Sequence, residues 1–186
     1  MTLRNTPTSY GKVAQSLHWV TFALVIMAWT LGVVADEAPR SLQKITHFVH
    51  VTLGVLLIWT VVCRSLWRLA DPAPQASSGE AGSLAVQLAS WMHILLYALL
   101  LIVPVLGIVV QFSRGAPLPI LGVFEIASPW SADRSFARAA KEVHEVLAHL
   151  LLLAGGLHAL AALYHHQILK DDTLARMAGW IRPPAP

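Results

Sequence analysis

The stretch from Glu142 to Lys170 constrains this chain more than any other part of it. It is apolar and long enough to cross a bilayer, yet it carries His144, His149, His158, His165 and His166. On an α-helix rising about 1.5 Å per residue, His144 and His158 stand about 21 Å apart, and fourteen steps of about 100° return to within roughly 40° of the same face. One helix therefore presents an imidazole near each side of a membrane, both directed into the interior of a bundle. An imidazole buried in lipid without a partner is costly, so intramembrane histidines mark a functional site.

Composition agrees with a membrane chain. Of 186 residues, 56% are hydrophobic and 12% charged, too apolar for a soluble domain of average make-up. The net charge of +3 and a pI near 9.4 do not indicate nucleic acid, because no basic run or aromatic-interleaved patch is present to bind it. The single cysteine, Cys63, lies in an apolar segment; it offers neither a disulfide framework nor a CxxCH site for covalent haem and reads as a small packed hydrophobe.

Four apolar runs follow one another, at about 16–35, 45–69, 84–112 and 142–170, each long enough to span. The chain is expected to be all-α: an integral membrane four-helix bundle forming one domain over residues 1–186. A cleavable signal ending at Val33-Val34-Ala35 is the competing reading of the first run, but that run is longer than a signal core and cleavage would discard His18. Arg64, Trp67 and Arg68 read as an interfacial anchor. The Pro-, Ser-, Ala- and Gly-rich residues 71–82 form a surface loop, Pro104 a kink in the third span, and residues 113–140 a non-spanning stretch packed over one end of the bundle. Four spans put both termini on one side. Cations near the span ends, among them Arg4, Lys12, Arg64, Arg68 and Lys170, place that side in the cytoplasm. The opposite face then holds Arg134, Arg138 and Lys141, which either draw an anionic substrate or are balanced by Glu125, Asp133, Glu142 and Glu145 on a solvated loop.

Depth sorts the histidines into two cross-helix pairs. His18, at the cytoplasmic end of the first span, matches His158; His50, near the start of the second, matches His144. Imidazoles from facing helices can fill both axial positions of a haem iron, and a six-coordinate iron passes electrons rather than binding dioxygen. His47, three residues from His50, is the rival ligand on that helix, with His50 preferred because it lies deeper. His149 falls on another face and reads as packing; His93 and His166 read as caps near the cytoplasmic side. His165 lies about 20° off the face of His158, placed to exchange a proton with something docked beside the cytoplasmic cofactor. Arg64, fourteen residues after His50, either pairs with a haem propionate or anchors to lipid phosphate.

The stretches Tyr10 to Trp19 (YGKVAQSLHW), Phe48 to Gly54 (FVHVTLG) with Arg64 and Arg68, His93 with Tyr97 and Pro104 to Gly107, and Val143-His144-Glu145 through Gly156-Leu157-His158 to His165-His166 and Lys170 to Thr173 together resemble the bacterial cytochrome b561 family, in order and over nearly the whole chain. The resemblance is strongest to its short, stand-alone, dihaem members of the inner membrane that act as superoxide oxidases. It implies two haem b groups on His18, His50, His144 and His158, ubiquinone bound near His165 and Ser16, and a cationic approach for superoxide, for which Arg134, Arg138 and Lys141 are the candidates here. On this reading superoxide is oxidised at the periplasmic face and ubiquinone is reduced at the cytoplasmic one, with His165 as proton donor. Two alternatives belong to other classes: a subunit conducting electrons between a periplasmic dehydrogenase or hydrogenase and the quinone pool, and a cofactor-free proton-coupled transporter or sensor.

Overall fold

The structure, a computed structural model, describes residues 2–35, 37–74 and 84–183. Most of the expected loop at 71–82, from residue 75 on, lies outside the described residues, as do the last three residues of the tail. Four long helices follow in order: α1 Lys12–Ala35, α2 Arg40–Ala70, α3 Leu84–Ser113 and α4 Arg134–Tyr164. A π-helical turn, His165–Leu169, continues α4, and a short helix α5, Thr173–Met177, closes the fold. All four long helices have the length and composition to cross a membrane. Many of their large apolar side chains, among them Trp59, Leu66, Trp91, Val146 and Leu160, are exposed, because the bilayer is their solvent and hides them without protein partners.

The helices run past the apolar runs that mark them. Helix α4 begins at Arg134, eight residues before Glu142, since Asp133 caps it: Asp133 Oδ1 accepts the N–H groups of Ser135 at 2.9 Å and Phe136 at 3.0 Å. These bonds meet the orphan donors of the first turn and hold the Asp133 carboxyl below its ordinary pKa, the bond from Phe136 contributing most. Pro104 sits buried inside α3 without ending it.

The chain divides into two compact units. The first comprises Met1–Val20, Val62–Leu96 and Leu153–Pro186; the second comprises Thr21–Val61 and Tyr97–Leu152. In the first, the N-terminal segment is tied down by Asn5, whose N–H donates to Asp71 Oδ2 at 2.8 Å and whose side-chain amide donates to the Asp71 and Pro72 carbonyls. The tail packs on α1 through Gln15, which donates to Arg176 O, and Trp19, which donates to Met177 O and stacks on Trp180 at 5.0 Å.

In the second unit, strands β1, Leu118–Ile120, and β2, Phe124–Ile126, pair antiparallel, with Leu118 opposite Ile126 and Ile120 opposite Phe124. Leu121 and Gly122 take φ of 53° and 72°, the two positive values that a tight hairpin turn demands. The hairpin lies against α2: a Cβ on Gly122 would sit 3.4 Å from Phe48 Cζ. Gln111, buried in α3, reaches the start of the hairpin by donating to Pro117 O at 2.8 Å.

Candidate functional site

Each unit contains one of the two expected histidine pairs. In the second, His50 on α2 and His144 on α4 face each other with ring centroids 6.1 Å apart and planes at 84°. In the first, His18 on α1 and His158 on α4 stand 6.3 Å apart at 63°. A metal–imidazole bond of about 2 Å on each side, with each ring centre roughly 1 Å behind its nitrogen, puts two trans ligands about 6 Å apart, centre to centre. Both pairs have the spacing of axial ligands on opposite sides of one iron. Among the described residues, no three His, Cys, Asp or Glu side chains converge into a protein-only metal cage, so each pair suits a metal that brings its own equatorial plane. The residues present fit haem.

The second unit fixes its pair twice over. His50 Nδ1 donates to the Ala28 carbonyl at 2.8 Å, and His144 Nδ1 donates to the Val103 carbonyl at 2.9 Å. A carbonyl can only accept, so both Nδ1 atoms carry the proton and both Nε2 lone pairs remain for a metal. Four residues beyond each acceptor stands a glycine that admits the ring: a Cβ on Gly32 would lie 3.1 Å from His50 Cε1, and one on Gly107 3.3 Å from His144 Cε1. The same device, carbonyl at one position and glycine one turn on, thus recurs in α1 for α2 and in α3 for α4. Reasoning from the sequence misses it, although the Ala28/Gly32 and Val103/Gly107 spacing is visible there.

His47 is otherwise engaged. Gln111 commits its NH2 to Pro117 O, so its Oε1 is what meets His47 Nε2 at 3.0 Å, and that nitrogen must donate. It is His50, the deeper residue, whose ring meets His144. His149 packs edge-on against Trp29 at 5.9 Å and donates from Nδ1 to Glu145 O, in keeping with a packing role.

The first unit is built differently. His18 Nδ1 is buried without a hydrogen-bond partner among the described residues, and a third imidazole joins the pair: His93 on α3 lies 5.2 Å from His158, edge to face. His93 Nδ1 donates to Ala89 O at 2.7 Å. Arg64 is half-buried and close enough to interact electrostatically with His18, His158 and His93. Arg68 reaches His93 in the same way.

Two residues assigned to quinone sit in different surroundings. Ser16 lines a cleft of about 200 Å³ with Lys12, Gln15, Trp19 and Trp180. His165 is not among those residues. The angular projection from His158 assumes a continuous α-helix, but α4 ends at Tyr164 and His165 opens the π turn, which carries its ring to Asp171, Nδ1 to Oδ2 2.5 Å. The candidate anion-attracting residues share the start of α4: Arg134 and Arg138 are exposed, while Lys141 pairs with Glu145 at 3.3 Å.

Membrane-crossing helices that clasp imidazole pairs at axial spacing define an electron-transfer cytochrome of the bilayer. The sequence profile of prokaryotic cytochrome b561 matches residues 9–180, and the chain belongs to that family. It is 33% identical over 168 residues to a probable superoxide oxidase of Yersinia pestis, covering 90% of this chain and 94% of the relative. To cytochrome b561 homolog 2 of Escherichia coli it is 30% identical over 184 residues, covering 96% of each. To a cytochrome b562 of Cereibacter sphaeroides it is 24% identical over 174 residues. The chain is therefore a haem b oxidoreductase of electron transport and a multi-pass protein of the bacterial inner membrane.

Proposed function

We propose that this chain is a superoxide:ubiquinone oxidoreductase holding two haem b groups, with both termini in the cytoplasm. Two superoxide anions each lose one electron at the periplasmic face and leave as dioxygen; one ubiquinone gains two electrons and two protons at the cytoplasmic face. Haem b, when bound, supplies a one-electron carrier at each imidazole pair.

The protein's own residues do the rest. Arg134 and Arg138, exposed on the first turns of α4, raise the local concentration of a small anion. Lys141 stands in the same stretch but shares its charge with Glu145 and contributes less. His50 and His144 would hold one haem and His18 and His158 the other, and the bound group would supply one-electron exchange. Arg64, whose charge acts on His18 and His158, would hold a propionate. Ser16 offers a hydroxyl to a quinone carbonyl in a cleft walled by Trp19 and Trp180. His165 supplies a proton to the quinone.

The observation that carries this reading is the pairing of imidazoles at matched axial spacing in both units. A relative named as a probable superoxide oxidase over nearly its whole length supports superoxide as donor. The Lys141–Glu145 ion pair, which takes a cation from the donor face, favours the alternative, a subunit conducting electrons from a periplasmic dehydrogenase or hydrogenase. Stopped-flow mixing of the oxidised protein with superoxide separates the two. Rapid haem reduction that slows as ionic strength rises is expected; haems that stay oxidised would leave the conduit.

A further inference from the structure

The segment after α4 folds back on itself around one imidazole. The π turn His165–Leu169 ends at Lys170, which takes the left-handed conformation, φ 54° and ψ 36°, and donates its N–H to His165 O. Asp171 N–H donates to the same carbonyl at 3.1 Å. A non-glycine residue in the left-handed region costs about 1 kcal/mol, and strain of this kind is kept where the surroundings over-determine it. What it secures here is the return of the Asp171 carboxylate to the His165 ring, Oδ2 to Nδ1 at 2.5 Å.

The carboxylate is itself held, because its Oδ1 accepts the N–H of Thr173, the first residue of α5, at 2.9 Å. Burial raises the Asp171 pKa, but the bonds from His165 and Thr173 outweigh it and leave the group below its ordinary value, so it is charged across the neutral range. The neighbouring carboxylate serves another partner: Asp172 is bound by Arg176 at 2.9 Å. Tyr164 lies edge-on to the His165 ring at 6.4 Å. An ionised carboxylate only accepts, so His165 Nδ1 must carry a proton. Among the described residues no hydrogen bond engages Nε2.

We propose that Asp171 is the positioning residue for His165: it holds the Nδ1 proton, so that a proton taken up from water at Nε2 makes an imidazolium, Nε2 passes that proton to the quinone as it is reduced, and the ring returns to its neutral Nδ1-protonated form. The assignment rests on the quinone-reducing reading above. Asp171 touches no substrate; it acts through the imidazole, as carboxylates behind catalytic and metal-bound histidines do.

The test uses the full, haem-loaded protein in nanodiscs. The haems are reduced with stoichiometric dithionite, mixed anaerobically with ubiquinone-1, and followed by reoxidation, while 15N NMR of histidine-labelled protein reads the His165 tautomer. Asp171→Asn should lower the maximal reoxidation rate about tenfold to a hundredfold, with little change in the half-saturating quinone concentration and with His165 losing its single Nδ1-protonated form. Asp171→Glu should recover most of the rate, and Asp172→Asn should leave it unchanged; haem content checks that each variant folds. Should Asp171→Asn reoxidise at the wild-type rate with the tautomer unaltered while His165→Gln is slow, the role of Asp171 is overturned and the quinone reading stands. A His165→Gln protein as fast as wild type overturns the role of Asp171 and leaves quinone reduction standing; wild-type haems that ubiquinone-1 does not reoxidise overturn both.

Discussion

Adding one methyl group at Gly32 should loosen the haem of the second unit, and the structure sets the size of the effect. The new Cβ would lie 3.1 Å from His50 Cε1, closer than ordinary contact, so the ring must give by a few tenths of an ångström. It cannot do so without stretching its 2.8 Å bond to Ala28 O. Overpacking of this kind costs about 1–3 kcal/mol, against about 0.5–1 kcal/mol gained by replacing glycine with alanine in a helix. The net loss of about 1–2 kcal/mol corresponds to haem held roughly fivefold to thirtyfold more weakly. At Gly107 the approach is 3.3 Å, and the two terms nearly cancel. Transfer of haem to excess apomyoglobin, followed spectrally, should therefore rank Gly32→Ala as fastest, with Gly107→Ala close to wild type, and only one of the two haem signals should change. Equal haem retention in all three proteins, or loss from the His18–His158 site instead, would refute the idea that the carbonyl-and-glycine device holds His50.

Other expectations follow from the same geometry. Replacing Arg64 by Leu removes a positive charge beside His18 and His158; since cations favour the reduced, less positive iron, a redox titration should show one midpoint potential lowered by on the order of tens of mV, whereas a lipid anchor would leave it unmoved. Charge removal at Arg134 and Arg138 together should slow haem reduction by superoxide and flatten its salt dependence, and the same change at Lys141, already paired with Glu145, should do less. Because the folded Asp171 pKa is depressed, its contribution is fully present above the unfolded carboxylate value of about 3.9. Proteolytic protection of the tail should hold from pH 8 to 5 and fail as pH falls through the lowered folded value.

Much of the fold is legible in the sequence because the bilayer demands long apolar runs, and the four spans announce themselves that way. The start of α4 does not, since residues 134–141 are too polar to read as a span and the helix there is set by the Asp133 cap. Three-residue strands around Leu121 and Gly122 are too short to leave a period. The pairing of His18 with His158 and His50 with His144 is legible because depth and helical phase fix it, but the backbone carbonyls of Ala28 and Val103 carry no side-chain signature. His165 marks the limit of the projection: a π turn breaks the α-helical phase beyond Tyr164, and the partner it finds, Asp171, is reached through a left-handed Lys170 that no hydropathy pattern encodes. His93, whose place in the sequence suggests a cap, stands beside His158.

Haem stoichiometry and spin state in the purified protein, with and without His158, bear most directly on the account. Two low-spin b-type haems per chain are predicted for the wild type, and one, with the other signal intact, for His158→Phe. A single haem in the unaltered protein, or two unperturbed ones after His158 is replaced, would contradict it.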